Sequence, residues 1–202
     1  MGGVLALKKI AVTGGLASGK TTVCSYLKEL GAYVVSADEI VHRLLSPETE
    51  VGKKVVAYLG LNHLKRGKID RKEIAELVFP DIEKLKGLEK LIHPAVLSEI
   101  ERAYNRIKNQ KEYSFFLAEI PLLYELGWES FFDEVITVVA QDALCKERYQ
   151  KMAAKGREDF EKRMARQMTL KEKKKRGGIC IENDGTLEQL KQKILEILFK
   201  LR

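Results

Sequence analysis

Residues 14–22 read Gly14-Gly15-Leu16-Ala17-Ser18-Gly19-Lys20-Thr21-Thr22, which fits G-x-x-x-x-G-K-[ST] with Gly14, Gly19, Lys20 and Thr21 at the fixed positions. That spacing suits a grip on a polyphosphate. Glycines let the backbone curl until successive N–H groups point inward, and a helix starting behind them adds the positive end of its dipole. Lys20 supplies a mobile charge for the β- and γ-phosphates of a triphosphate, and the Thr21 hydroxyl is the expected Mg²⁺ ligand. Gly14, Gly15, Ala17, Ser18, Gly19, Lys20, Thr21 and Thr22 are therefore candidate nucleotide-binding residues. The bland alternative is an ordinary glycine-rich turn, and the flanks argue against it. Lys9–Thr13 suits a buried strand, while Val23, Tyr26, Leu27 and Leu30 recur at helical spacing before the stop signal Gly31.

A second chemical group is Asp38, at the end of the apolar run Ala32-Tyr33-Val34-Val35-Ser36-Ala37-Asp38. In an open parallel α/β sheet, ligands sit beyond the carboxyl ends of the strands, so this carboxylate should share the crevice of the loop. It could accept a proton from an attacking hydroxyl, hold Mg²⁺ through water, or cap the helix starting near Glu39. A third group is basic. Residues 146–176 hold thirteen Lys/Arg against five Asp/Glu, while the rest of the chain holds 23 basic and 24 acidic residues. The net charge of +7 is thus one local segment. Arg148, Arg157, Arg163 and Arg166 with Gln167 fall there on helices around a hinge expected at Gly156. Arginines reaching over the phosphates would stabilise charge on a transferring group; a solvated face or a nucleic-acid patch are the alternatives, and the latter lacks interleaved aromatics and motif support.

These groups need elements to hold them. Further strands are expected at 114–120, 133–140 and 178–182, and a last helix opens on Thr186 with Gln189 three residues on, a capping box. Between residues 40 and 111 the strand rhythm gives way to helical segments, 41–45, 51–59, 72–79, 82–92 and 95–107, with breaks at Pro47, Gly60, Gly67, Pro80 and Pro94. Strands alternating with helices imply an α/β fold, a parallel sheet of about five strands covered on both faces. The expected domains are a nucleotide-binding core (1–40, 112–141 and 177–202), an inserted helical domain for the acceptor (41–111) and a basic helical lid (142–176).

At 202 residues one domain with insertions is expected. Cys24, Cys145 and Cys180 form an odd set without metal-type spacing, which favours a reducing cytoplasm. Val4–Leu7 is far too short for a membrane span, and position 6 lacks the Ser or Thr of a myristoylation signal. A soluble intracellular protein without membrane or nucleic-acid partners, and a monomer, is the expectation.

The loop 13–21, Ala37-Asp38-Glu39-Ile40, Ile92-His93-Pro94, Pro121-Leu122-Leu123-Tyr124-Glu125 and Arg163-x-x-x-Gln167, in this order, resemble the dephospho-CoA kinases from Lys9 to about Asn183. The resemblance implies transfer of the ATP γ-phosphoryl group to the ribose 3′-hydroxyl of dephospho-CoA, with Mg²⁺, on a phosphate-loop NTPase-type sheet. It implies Asp38 as general base, His93, Pro94, Leu122 and Glu125 on the acceptor side, Arg148 and Arg163 near the phosphates, and Asn183 near the adenine. Two positions depart from the pattern: Ser36-Ala37-Asp38 replaces Asp-Ala-Asp, and Met152 stands where a second arginine often follows Arg148, with Lys151 or Lys155 as candidate substitutes. A lysine cannot reproduce the planar fork of an arginine. Other small-molecule kinases, acting on nucleosides, nucleotides or shikimate-like acceptors, would share the loop and lid. A GTPase is disfavoured by the lack of Asn-Lys-x-Asp. An ATPase with an acidic metal-holding strand end is disfavoured because the third strand ends in Glu119 before Ile120-Pro121, and Asp133-Glu134 precede their strand.

Overall fold

The computed structural model describes residues 7–61, 69–153, 157–165 and 167–201; Gly67, Lys155, Gly156 and Arg166 lie outside the described residues. Strands form where the apolar runs lie: β1 Lys9–Gly14, β2 Ala32–Ser36, β3 Phe115–Glu119, β4 Glu134–Val139 and β5 Ile179–Glu182. They make one parallel sheet in the order β2-β3-β1-β4-β5. Every residue of β1 is buried, because a central parallel strand is covered on both faces and so reads as a continuous apolar run. The register sets Val12 of β1 opposite Glu119 and Gly14 opposite Val138. The carboxyl ends of β1, β3 and β4 therefore line one edge of the sheet, and the sequence puts its phosphate-type loop there.

Helix α1, Lys20–Glu29, follows the loop, and Gly31 turns the chain with φ +92°. Its face Val23, Cys24 and Leu27 packs on Ile10, Val12, Leu117, Ile136 and Val138 of the sheet. The C-terminal helix α9, Leu187–Leu201, covers the same core through Leu190, Ile194, Ile197, Leu198 and Leu201. It opens on the expected capping box, in which Thr186 N donates to Gln189 Oε1 at 2.9 Å and Gln189 N to Thr186 Oγ1 at 3.3 Å.

The remaining helices are α2 Ala37–Leu44, α3 Glu50–Leu59, α4 Arg71–Val78, α5 Ile82–Ile107, α6 Asp142–Ala153, α7 Arg157–Met164 and α8 Leu170–Lys175. The chain divides into two compact units, Met1–Val34 with Ile107–Arg202, and Val35–Arg106. The basic segment falls in the first of these. The second is helical, with Ile40, Val55, Ile74, Leu88, Ile92, Val96 and Ile100 buried. Gly87 on α5 leaves the space that Tyr58 of α3 fills, and the Tyr58 hydroxyl donates to the Glu83 carbonyl at 3.3 Å.

The break expected at Pro94 does not occur: one 26-residue helix runs through it. A proline inside a helix removes one backbone hydrogen bond and costs about 3 kcal/mol. Leu88, Ile92, Val96, Ile100 and Ala103 stay on one buried stripe across it, and each large apolar side chain so buried contributes about 1.5–3 kcal/mol. Burial outweighs the local penalty.

Candidate active site

In the loop, Lys20 is 8% exposed and its Nζ donates to Gly15 O at 2.8 Å and Gly14 O at 3.5 Å. The ammonium thus rests on the loop's own carbonyls. Gly14 is required because a Cβ there would fall on the Val138 carbonyl of the neighbouring strand. At Gly19 φ is +99° and a Cβ would meet the Asn183 amide. Ala17 also takes a positive φ of 54°, a conformation that costs a residue with a Cβ roughly 1–2 kcal/mol and that helps aim successive N–H groups inward. Ser18 is fully buried and its Oγ has no hydrogen-bond partner. Asn183, just past β5, donates its Nδ2 to Ser18 O at 2.8 Å and its backbone N to Val139 O at 2.8 Å. In this structure its side chain props the loop from behind.

Thr21 and Thr22 occupy the exposed first turn of α1. The Thr21 hydroxyl donates to Glu119 Oε1 at 2.9 Å, so its proton is taken by the carboxylate and its lone pairs are free to face a metal. Glu119 ends β3, 98 residues along the chain, and was the acidic residue that sequence reasoning set aside. The signal was there: a carboxylate closing the strand beside β1. An alcohol and a carboxylate oxygen suit Mg²⁺, a hard cation that takes one or two protein oxygens along with phosphates and waters. The donor set fits that ion. Near this pair lies the buried Cys24 thiol, pushed well up by burial and by the Glu119 charge, against the opposing pull of Lys20. Cys145 and Cys180 are also raised, burial being the largest cause. Burial thus favours the thiol form at all three.

Helix α6 meets the tip of the loop: Cys145, Tyr149, Phe160 and Ala140 form a small core against which Leu16 and Ala17 pack. Arg148, one turn beyond Cys145, is half-buried and its Nη1 is buried without a hydrogen-bond partner. A buried guanidinium N–H is costly unless an acceptor meets it, and an anion on the loop is a fitting one. Arg163 is exposed on α7 and Met152 is 82% exposed. Lys151 pairs with Glu147 at 2.6 Å on the exposed face of α6.

Part of the charge imbalance of the basic segment is offset in space. Lys173, Lys174 and Arg176 pair with Glu125, Glu182 and Glu129, all outside the segment. Glu125, expected on the acceptor side, accepts from Met168 N at 2.7 Å and pairs with the fully buried Lys173 at 3.0 Å through Oε1. Its Oε2 is buried without a partner. Breaking one partner out of such a buried pair costs about 3–5 kcal/mol. Leu122 is half-buried at the start of the same segment.

In the helical unit, β2 ends at Ser36, so Asp38 stands in the first turn of α2 and not on a strand. Ser36 is the N-cap, accepting from Glu39 N at 3.4 Å. The serine that stands in place of the first acid of the Asp-Ala-Asp pattern thus does the capping and relieves Asp38 of it. Asp38 is exposed. His93 and Pro94 follow each other on α5, His93 half-buried and Pro94 exposed. Burial holds the His93 imidazole below its usual pKa of 6.5, opposed by Glu89. Among the described residues no helix is long and apolar enough to cross a membrane, and no cluster of three His, Cys, Asp or Glu side chains could hold a metal.

A phosphate grip between the central strand and its helix, at the carboxyl edge of a parallel sheet, is the plan of the P-loop kinases. Shikimate kinase from Acinetobacter baumannii shares this fold, with a TM-score of 0.53 over 97% of this chain and 95% of that one at 18% identity. Residues 8–189 match the family model described as dephospho-CoA kinase. A protein named dephospho-CoA kinase from Protochlamydia amoebophila is 46% identical over 98% of both chains, and a crystal structure from Thermus thermophilus aligns with a TM-score of 0.84 at 31% identity, over 97% of this chain and 98% of that one. The chain belongs to the dephospho-CoA kinase family.

Proposed function

We propose that this protein transfers the γ-phosphoryl group of ATP to the ribose 3′-hydroxyl of dephospho-CoA, giving coenzyme A and ADP, the last step of coenzyme A synthesis. The observation that carries this reading is the loop itself, a desolvated Lys20 on the Gly15 carbonyl beside a Thr21 hydroxyl already paired with Glu119, in a chain of this family. Phosphoryl transfer asks little covalent chemistry of a protein, so alignment and charge neutralisation do most of the work. Asp38 accepts the proton of the 3′-hydroxyl as its oxygen attacks the γ-phosphorus, and the bond to the β–γ bridging oxygen breaks to release ADP. Gly14, Gly15, Ala17, Ser18, Gly19 and Thr22 frame the phosphates with backbone and hydroxyl donors. Lys20 neutralises the β- and γ-phosphates, and Arg148 and Arg163 meet the charge from the basic helices, which act as a lid over residues 142–176.

Thr21, with Glu119 behind it, would hold Mg²⁺, which supplies further neutralisation of the phosphate oxygens. Asn183 holds the loop shape next to the adenine. Leu122, Glu125, His93 and Pro94 serve the acceptor, and the helical residues 41–111 bind its CoA portion. Free thiols at Cys24, Cys145 and Cys180 support a reducing cytoplasm as the location. The enzyme works as a monomer on small molecules, without nucleic acid; the pairing of three basic residues with acids outside their segment supports the second of these points. Incubation with ATP, Mg²⁺ and a panel of acceptors tests the proposal. Phosphorylation of dephospho-CoA in preference to nucleosides, nucleotides and shikimate is expected; turnover of another acceptor with none of dephospho-CoA would overturn it.

A further inference from the structure

Lys173 on α8 is fully buried, and the transfer chemistry above makes no use of it. Its ammonium faces three acceptors from two distant segments: Glu125 Oε1 at 3.0 Å, Pro121 O at 3.1 Å and Gly14 O at 3.4 Å. An ammonium has three protons, so each has an acceptor here. One turn earlier, Leu170 lies against Gly15, its Cδ2 standing 3.0 Å from where a Cβ would be. Helix α8 is thus fastened to the first two residues of the phosphate loop and to both ends of the segment 121–125.

The Gly14 carbonyl is also an acceptor for Lys20, whose Nζ lies at 3.5 Å from it and at 2.8 Å from Gly15 O. A phosphate that draws the Lys20 ammonium takes those protons from the loop. We propose that Lys173 is a positioning residue for the nucleotide. It holds the Gly14 carbonyl, and with it the curl of the loop, while Lys20 shifts its donors to the phosphate. Through Glu125 and Pro121 the same ammonium ties the loop to the segment on the acceptor side. This rests on the phosphate-loop part of the proposed function and not on the identity of the acceptor.

Two variants test it. Lys173→Met removes the ammonium at similar length but leaves Glu125 a buried, unpaired charge, so a lowered melting temperature is expected. Lys173→Met combined with Glu125→Gln removes both charges and restores stability. Each is titrated with a non-hydrolysable ATP analogue and Mg²⁺ by calorimetry, with no acceptor present. The double variant is expected to melt near the wild type yet bind the analogue about tenfold or more weakly, the scale of a lost charge-assisted hydrogen bond. A double variant with wild-type affinity overturns the proposal, and so does one that fails to fold, since the lysine would then be a pillar of the fold alone. A wild-type protein that binds the analogue but does not phosphorylate dephospho-CoA refutes the acceptor assignment and leaves this test standing.

Discussion

Glu119→Gln exchanges one oxygen for an NH₂ group and removes the charge beside Thr21 while keeping volume. The amide oxygen can still accept the Thr21 proton at the observed 2.9 Å, so the local geometry survives. What is lost is the charge assistance, about 1.5–3 kcal/mol for a hydrogen bond to an ion against about 1 kcal/mol for a neutral one. The difference predicts a small loss of stability, on the order of 1 kcal/mol, or about 2–4 °C in melting temperature for a chain of this size. The larger effect is on the metal. Residues that orient a metal ligand typically contribute about 10–100-fold in metal affinity or activity. The assay is initial rate at saturating ATP and dephospho-CoA as Mg²⁺ is titrated. The half-saturating Mg²⁺ concentration should rise by about 10–100-fold, with kcat largely recovered at high Mg²⁺. Thr21→Val should shift the same curve, and the double variant should be much less than additive because both groups act through one ion. An Mg²⁺ dependence for Glu119→Gln that overlays the wild type would show that Glu119 takes no part in holding the metal.

Three further outcomes follow from the same geometry. Asp38→Asn should keep affinity for an ATP analogue while kcat falls by about 10²–10⁴, the usual worth of a general base; an unchanged kcat would remove Asp38 from the chemistry. Pro94→Ala restores a helix hydrogen bond inside α5, so the melting temperature should rise, toward the limit of about 3 kcal/mol set by the proline penalty, while KM for dephospho-CoA increases and KM for ATP does not; no gain in stability would show that the helix carries no strain at that position. Because burial lowers the folded-state pKa of His93 below 6.5, the unfolded chain binds more protons in that window. The stability His93 contributes is therefore present above pH 6.5 and lost as pH falls through its folded pKa. Melting temperatures from about pH 7.5 down to about pH 5.5 should fall more in the wild type than in His93→Gln, and equal slopes would contradict the sign.

The strand–loop–helix unit around Lys20 was legible because its glycines answer to local geometry: the spacing of Gly14 and Gly19 reflects a strand carbonyl and an amide that leave no room for a Cβ. The capping box at Thr186 is local for the same reason. The Thr21–Glu119 pair was not legible, since it exists only once β3 lies beside β1. Lys173 looked like one lysine in a run of charge, and only the sheet edge and Glu125 reveal that it is buried. Pro94 misled in the opposite direction, because a local rule about proline was outweighed by an apolar stripe that continues past it. The apolar run 32–38 suggests a strand that ends at Asp38, but the strand closes two residues earlier because Ser36 can end a strand and cap a helix at once.

The proposed transfer needs a sugar hydroxyl that meets both an acid and a terminal phosphate. The most direct measurement is a crystal structure with a non-hydrolysable ATP analogue, Mg²⁺ and dephospho-CoA bound. It should show the ribose 3′-oxygen within hydrogen-bond reach of the Asp38 carboxylate and in line with the γ-phosphorus, with the Lys20 ammonium moved from Gly15 O onto the phosphates. A ribose bound elsewhere, or an Asp38 carboxylate turned to bulk water with the acceptor in place, would contradict it.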